Sequence, residues 1–322
     1  MTWVWLIGGL VLLVAGGELL VQNASAFALK ARVSPLIVGL TIVAMGTSAP
    51  ELFASLQAAW NGDGSIAIGN VLGSNVANLG LALGLTAMVA PVAIAWRDLK
   101  LHWWVMVAAS VAFMVFVSDL TLSRIEGVML LAGAALYLGG QILASRRTGS
   151  DANVEDDAFV AELLEETGDA SRPYPVLLGL IAVGCVGLFW GSKAFVHGAT
   201  ECAVGLGIST HVVGVTVVAF GTSIPEIAAS LAAAIKGNGA LSIGNLVGSN
   251  ILNLLLVLGA TAEVQDLEVA GVVPTHDMWW MLGAALLLVP MMKLGKGHIG
   301  RPAGAVYVAV YVAYVYLVVV HG

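Results

Sequence analysis

Long apolar runs, separated by short polar or Gly/Pro-containing breaks, follow one another along almost the whole chain of 322 residues. With 59% hydrophobic and 10% charged residues and a mean hydropathy of +0.95, the chain carries more apolar surface than a water-exposed globule can bury. The sequence therefore predicts an integral membrane protein with the lipid bilayer as its main solvent. No basic tract indicates nucleic-acid binding.

Ten candidate transmembrane helices follow from these runs, so the fold is expected to be all-α and polytopic. Only helices and closed barrels satisfy the backbone in lipid, and runs of about 20 apolar residues are typical of spanning helices. The predicted spans are residues 3–29, 35–60, 66–93, 102–117, 125–145, 174–202, 210–235, 241–264, 276–291 and 303–320.

The Lys and Arg residues are distributed unequally between the two sides of these spans. With the N-terminus placed outside, the inner loops hold eleven basic residues, the outer loops hold only Arg124, and Lys193 falls within a span. Because basic loops stay on the cytoplasmic side, we expect both termini to lie outside.

An internal repeat relates the two halves of the chain. The segment Gly39–Gly84 aligns without a gap with Gly214–Gly259, with 27 identities in 46 positions, so the numbers of aligned residues keep one constant offset. Each copy belongs to a predicted unit of five helices, residues 1–145 and 174–322. Because five is odd, the second unit enters the membrane from the opposite face. We therefore expect two inverted repeats, an arrangement common in secondary transporters.

The stretch 146–173 joins the two units and holds eight acidic residues. A polar, charged stretch of this kind predicts a solvated cytoplasmic linker.

The motif G-T-S-x-P-E occurs once in the second predicted helix and once in the seventh. Its proline lacks an N–H, so the carbonyls of Gly46 and Gly221 lose their helical donors and become free to bind a cation. Residues four apart share one helical face, so Thr47, Glu51 and Ser55 lie together. The corresponding residues of the second copy are Thr222, Glu226 and Ser230.

The helix after each of these motifs carries G-N-x-x-G-S-N-x-x-N. Its Asn and Ser residues also recur every four positions, which predicts a polar stripe in each copy. One interpretation is that these groups only hold helices together by hydrogen bonds. The other is that they bind an ion. The two stripes are Asn70, Ser74 and Asn78, and Asn245, Ser249 and Asn253.

Counting from the nearest turns places Glu51 and Glu226 about nine residues from the membrane surface, near the middle of a ~30 Å core. An acidic residue at that depth costs roughly 2.5–3.5 kcal/mol, so it needs compensation. The only predicted intramembrane base, Lys193, lies on the sixth helix. A bound cation is therefore the expected partner, and a site made of oxygen ligands favours calcium over soft transition metals.

These motifs resemble the alpha repeats of the sodium/calcium exchanger family, within the calcium/cation antiporter superfamily, and the resemblance extends to the ten-helix plan. It implies exchange of sodium for calcium by alternating access in a prokaryotic plasma (inner) membrane. The partners are then small inorganic cations and the bilayer, Na⁺ and Ca²⁺ are the transported ions, and no cofactor is expected. The ligands it implies are Glu51, Glu226, Thr47, Ser48, Thr222, Ser223, Ser74, Ser249, Asn78, Asn253 and the carbonyls of Ala44 and Ala219.

Two features of the motifs bear on which ion drives transport. Proton-coupled relatives place a glutamate where this chain has Gly73 and Gly248, and potassium-dependent relatives, together with some prokaryotic exchangers, place an aspartate at Asn253. The resemblance therefore favours sodium coupling, with proton or potassium coupling as the alternative. A passive channel and a membrane enzyme are less consistent with the sequence, which lacks the metalloprotease, nucleotide-loop and nucleophile-elbow motifs. The oligomeric state stays open.

Glu18 and Lys193 are separated by the same offset as the two repeats and fall in the first and sixth predicted helices. These two helices could slide as a pair to gate the site. One hypothesis is that Glu18 and Lys193 form an ion pair that locks one state. The favoured interpretation is that the two side chains extend to the membrane interface or make separate polar contacts.

Overall fold

The computed structural model describes residues 2–31, 33–148, 172–205, 221–271 and 273–321. Within these ranges the fold is almost entirely helical, as predicted. The helices are α1 (Thr2–Ala31), α2 (Pro35–Thr47), α3 (Ala49–Trp60), α4 (Gly64–Val89), α5 (Trp96–Phe116), α6 (Arg124–Thr148), α7 (Tyr174–Gly205), α8 (Ile224–Ile235), α9 (Gly239–Ala262), α10 (Met278–Leu294) and α11 (Arg301–His321).

Seven helices of the described part are long and apolar enough to cross a membrane. The bent pair α2 and α3 makes an eighth candidate span, and α8 and α10 are shorter apolar helices. The predicted span 210–235 lies partly outside the described residues. The all-α membrane architecture is therefore confirmed, whereas the count of ten spans stays a prediction.

Prolines determine where the second predicted helix breaks. α2 ends at Thr47, α3 begins at Ala49, and their axes differ by 44°. Pro50 stands in the first turn of α3, where a missing N–H costs nothing because that turn has no intrahelical acceptor. Pro225 holds the same place in α8. Both motif glutamates therefore lie in the first turn of a short helix.

In the part of the chain that the structure describes, three helices contain a π-helical turn close to the predicted site. The turn Gly39–Val43 lies within α2, immediately before Ala44. The turns Asn78–Leu83 in α4 and Asn253–Val257 in α9 each begin at a predicted ligand. The wider turns change the direction of the side chains that follow, which the polar stripes alone do not predict.

The core of the molecule is formed around α4 and α9. In the most apolar stretch of each helix, 94% of the α9 residues and 72% of the α4 residues are buried, compared with 11% for α11. α9 is thus surrounded by protein although its sequence is as apolar as that of a lipid-facing helix. Its burial brings the polar stripes of the two repeats into one interior.

Two antiparallel pairs of short strands join the halves of the chain. β1 (Val92–Ala93) pairs with β4 (His298–Ile299), and β2 (Thr121–Leu122) pairs with β3 (Leu267–Glu268). Each pair has one strand from each half. The strands β1 and β3 are themselves equivalent, because the repeat offset converts the first into the second.

A regular glycine spacing holds α1 and α7 together as an antiparallel pair. A Cβ added at Gly191 would lie 2.9 Å from the backbone nitrogen of Leu13, and one at Gly184 would lie 2.8 Å from that of Leu20. A Cβ added at Gly9 or Gly16 of α1 would lie 2.5 Å or 2.9 Å from a backbone nitrogen of α7. Only residues without a side chain permit this distance, so the glycines make the two helices one packed unit.

Candidate functional site

The two motif glutamates meet in the protein interior. Glu51 in α3 and Glu226 in α8 are both 0% exposed. Ser48, which belongs to the same motif as Glu51, donates to Glu226 Oε1 at 3.1 Å, so the two motifs lie side by side. The helix N-termini on which they stand offer favourable dipoles, but no Lys or Arg within the described ranges forms a salt bridge with either carboxylate. Two buried acids without a basic partner call for another positive charge.

The buried oxygen atoms around these glutamates are largely without hydrogen-bond partners. Ten buried side-chain oxygens in the described residues lack a partner, and eight of them belong to residues predicted as ligands. Buried polar atoms in proteins are normally satisfied, so such a concentration indicates a place for a missing group. The eight atoms are both Oε atoms of Glu51, Oε2 of Glu226, Oγ1 of Thr222, Oγ of Ser223, Oγ of Ser249 and the Oδ1 atoms of Asn78 and Asn253.

The motif hydroxyls differ between the two copies. Ser48 Oγ donates to Glu226 Oε1 at 3.1 Å. Thr47 Oγ1 donates to Asn245 Oδ1 at 3.0 Å. In the other copy Ser223 and Glu51 have no such bond. The first motif therefore partly satisfies Glu226, while Glu51 has both oxygens available.

Asparagines of α4 and α9 cross-connect the two repeats. Asn75 Nδ2 donates to the backbone carbonyl of Asn250 at 3.3 Å, and Asn250 Nδ2 donates to the backbone carbonyl of Asn75 at 3.2 Å. Asn78 donates to Asn250 Oδ1, and Asn253 donates to Asn75 Oδ1, both at 3.1 Å. Each bond therefore has its equivalent at the repeat offset.

Sequence reasoning placed Asn75 and Asn250 in the motif but not among the ligands. The structure gives Asn75 and Asn250 a supporting role. Their Oδ1 atoms accept hydrogen bonds from Asn253 and Asn78, and these bonds orient the two asparagines so that the Oδ1 atoms of Asn78 and Asn253 have no hydrogen-bond partner. The sequence signal for this role is that Asn75 recurs as Asn250 at the repeat offset. Each follows the serine of its polar stripe by one position, so the four-residue spacing did not include it.

Other members of the polar stripes connect neighbouring helices. Asn70 Nδ2 donates to Ser55 Oγ at 3.0 Å, and Asn245 Nδ2 donates to Ser230 Oγ at 2.9 Å. Ser74 Oγ donates to the Val71 carbonyl and accepts from Asn253. For Asn70, Asn245 and the two serines that they contact, the hydrogen-bonding interpretation describes the structure best.

Backbone carbonyls were also predicted as ligands. Ala44 is buried, and its carbonyl accepts from Ser48 N at 2.9 Å, with Thr47 Oγ1 at 3.4 Å from the same oxygen. The carbonyl of Gly221 was expected to be free because of Pro225. Instead it accepts a hydrogen bond from Ser192 Oγ of α7, so this part of the prediction was wrong. Ala219 lies outside the described residues.

Comparisons with known proteins place the chain in a family. The model of the "Sodium/calcium exchanger protein" family matches residues 1–143 and 176–320. The chain belongs to the sodium/calcium exchanger family. Among its relatives, it is 34% identical over 308 residues to the membrane protein MJ0091 of Methanocaldococcus jannaschii, covering 94% of this chain and 93% of that one. It is 32% identical over 338 residues to the sodium/calcium exchanger MaX1 of Methanosarcina acetivorans, covering 95% of each chain.

A solved structure of the family has the same fold. The sodium–calcium exchanger NCX_Mj, soaked with zero Na⁺ and Ca²⁺, matches with a TM-score of 0.81 and 31% identity over 98% of each chain. The family resemblance drawn from the motifs is thus confirmed.

The charged residues of the first and sixth predicted helices make separate contacts in this structure. Glu18 Oε1 pairs with Lys236 Nζ at 3.2 Å, not with Lys193. The Lys193 ammonium lies over the rings of Phe189 and Trp190, at 4.5 Å and 5.4 Å from their centroids. Glu18 and Lys193 are equivalent in sequence, and this family member uses them separately.

Proposed function

We propose that this chain is a secondary active antiporter that exchanges sodium for calcium across the membrane by alternating access. The observation that carries the proposal is the set of eight buried, unpartnered oxygens around Glu51 and Glu226. Membership of the sodium/calcium exchanger family supports the ions chosen.

The chemistry of the donor set suits a hard cation. Calcium binds six to eight oxygens at about 2.3–2.6 Å, and carboxylates, hydroxyls and amide carbonyls are its usual ligands. Sodium accepts the same kinds of oxygen, so the two ions can compete for overlapping positions. We assign as ligands Glu51, Glu226, Thr47, Ser48, Thr222, Ser223, Ser74, Ser249, Asn78, Asn253 and the carbonyls of Ala44 and Ala219.

Charge explains why the two ion fluxes are coupled. With both carboxylates ionised, the vacant site carries two negative charges, and sealing these charges away from water is costly. One Ca²⁺, or two or more Na⁺, removes that cost. Only the loaded site then passes between outward and inward states, so calcium leaves when sodium enters.

The architecture that we propose is ten transmembrane helices in two inverted units, 1–145 and 174–322, with the acidic linker 146–173 inside and both termini outside. Contacts that recur at the repeat offset support the division into two units. Gly64 and Gly239 are equivalent residues, and each packs closely against a strand of the other half. A Cβ added at Gly64 would lie 3.0 Å from the Glu268 backbone, and one added at Gly239 would lie 2.8 Å from the Ala93 carbonyl. The two regions matched by the family model also correspond to the two units.

Two local features favour sodium coupling over the alternatives. A Cβ at Gly248 would lie 2.7 Å from the Leu40 backbone, so the glutamate of proton-coupled relatives has no room at this position, whereas a Cβ at the equivalent Gly73 would meet nothing within 4 Å. Asn253 Nδ2 donates to both Ser74 Oγ and Asn75 Oδ1, and a carboxylate has no hydrogen to donate to either. An aspartate at this position would lose both bonds.

Calcium uptake into sealed vesicles tests the proposal. Protein reconstituted into sodium-loaded vesicles should accumulate calcium while an outward sodium gradient lasts, and should stop when that gradient is abolished. Potassium gradients and pH steps, applied alone, should drive no uptake. Uptake that follows potassium or pH instead would replace sodium coupling, and uptake that ignores every gradient would indicate a channel.

A further inference from the structure

We propose that the sliding of α1 and α7 is limited by two alternating ion pairs, Glu18 with Lys236 on the inner side and Lys193 with Asp63 on the outer side. The proposal rests on the alternating-access function given above. The first pair is present in this structure, and the second belongs to the opposite state.

The inner pair joins α1 to the turn between α8 and α9. Lys236 Nζ lies 3.2 Å from Glu18 Oε1, with 31% and 53% of the two side chains exposed. Two residues further along the same turn, Asn238 Nδ2 donates to Ser25 Oγ of α1 at 3.2 Å. The backbone of Gly17 packs against α8, because a Cβ added at Gly17 would lie 3.3 Å from the Ala228 carbonyl. α1 therefore closes on the second repeat along this side.

The repeat offset identifies the outer counterpart. The turn residues 236–238 correspond, at the repeat offset, to residues 61–63 in the turn between α3 and α4. By the same offset, Glu18 of α1 corresponds to Lys193 of α7. The counterpart turn contains an acid, Asp63, where the inner turn contains Asn238. The charges are therefore reversed: an acid on α1 meets a base on the inner turn, and a base on α7 faces an acid on the outer turn.

The outer partners are separate in this structure. Asp63 is exposed and makes no capping bond to α4, whereas Asn238 caps α9 through a bond from Leu241 N at 3.0 Å. Lys193 is exposed and rests on Phe189 and Trp190. Phe53, which corresponds to the packed Ala228, is 65% exposed. The outer side therefore lacks the contact that the inner side has.

The fold explains why the pairs exclude each other. The glycine contacts bind α1 and α7 into one unit, so movement of α1 away from the inner turn carries α7 with it. In an inverted repeat, the opposite state exchanges the environments of equivalent residues. Lys193 then leaves its aromatic rings and reaches Asp63 while Glu18 leaves Lys236. Each pair stabilises one end of the movement.

Cysteine cross-linking tests the outer pair directly. Asp63→Cys and Lys193→Cys are combined in a chain with Cys185→Ala and Cys202→Ser. Because a lysine reaches further than a disulfide can, cross-linking by a short bis-methanethiosulfonate, which bridges two thiols and is released by reduction, is followed in vesicles under sodium and calcium turnover. We expect a cross-link that lowers exchange at least tenfold, with recovery on reduction. The matched control pairs Lys193→Cys with Asn238→Cys on the opposite side and should not cross-link. Absence of the 63–193 cross-link under all ion conditions would overturn the proposal.

Charge reversal gives a second test that needs no cysteines. Asp63→Lys should slow exchange about two- to fivefold, as expected for a partly exposed ion pair. Adding Lys193→Asp should restore the rate, whereas Asp119→Lys, in another outer loop, should leave it unchanged. A double variant no faster than Asp63→Lys alone would contradict the pairing. Cross-linking reports position without calcium flux, so it can succeed even where sodium–calcium exchange fails as the function.

Discussion

The two buried glutamates are the residues on which the proposed transport depends most. Glu51→Gln or Glu226→Gln removes a negative charge and introduces an amide that donates towards the ion. Each change should reduce sodium-driven calcium uptake more than tenfold while the protein still inserts into the membrane. Vesicle uptake and membrane yield measure the two effects. Glu268→Gln, on the exposed side of strand β3, is the control and should retain the native rate.

If both glutamine variants keep more than about a tenth of the native flux, the carboxylates are not the principal ligands. A loss of flux together with a loss of inserted protein would indicate a structural role instead. The unpartnered oxygens of Glu51 predict the larger loss for this residue, since Glu226 already accepts from Ser48.

Asn253 determines how much negative charge the site holds. Asn253→Asp adds a third carboxylate, so one Ca²⁺ leaves a residual charge of minus one that a further monovalent cation must neutralise. Calcium uptake by this variant should fall severalfold in sodium alone and recover partly when potassium is present on both sides of the membrane. The same assay with Asn61→Asp, in an exposed turn, should show no potassium effect. Equal rates with and without potassium would contradict this charge balance.

At the scale of the elements, the glycines between α1 and α7 make a prediction about stability. Gly191→Ala places a methyl group 2.9 Å from the Leu13 backbone nitrogen and 3.1 Å from the Gly9 carbonyl. Overpacking of this kind typically costs about 1–3 kcal/mol. The melting temperature of the detergent-purified protein should therefore fall by at least about 2 °C.

Gly179→Ala is the matched control, because it lies on the same helix and nothing stands within 4 Å of its added Cβ. Alanine is the better helix former there, so the melting temperature should stay the same or rise. Equal destabilisation by both changes would show that α7 is sensitive to any substitution, and not specifically to its distance from α1.

Elements differ in how far the sequence predicts them. The prolines of the acidic motifs predict the local loss of a helical hydrogen bond, because proline acts through the backbone of its own turn. They did not predict that the span 35–60 divides into α2 and α3 with a 44° bend. The π-turns at Asn78 and Asn253 are not predictable in this way, since they depend on packing between α4 and α9. The bond from Ser192 to the Gly221 carbonyl likewise joins residues that only the tertiary fold brings together.

At the scale of the whole molecule, the repeat is the feature that allows a sequence to predict a site. Glu51 and Glu226 lie in different halves of the chain, and no local rule brings them together. An offset that is constant over 46 positions does so, because in the proposed inverted arrangement equivalent residues of the two units meet at a shared axis. The reciprocal bonds of Asn75 and Asn250 join two such equivalent residues. Differences between the copies, such as Ser48 and Ser223, were beyond sequence reasoning.

The two strand pairs provide the test of the proposed membrane orientation. If the units are inverted, β1 with β4 and β2 with β3 lie on opposite faces, and the basic residues near β1 and β4 assign that pair to the inside. Single cysteines at Arg97 and Lys296 should therefore be protected from an impermeant maleimide in intact cells, in a chain without native cysteines. Cysteines at Asp119 and Glu268 should react, and permeabilised cells should label all four. Labelling of Arg97→Cys and Glu268→Cys from the same side would rule out the inverted arrangement. It would also rule out that Glu51 and Glu226 are brought to the site by units that enter the membrane from opposite faces.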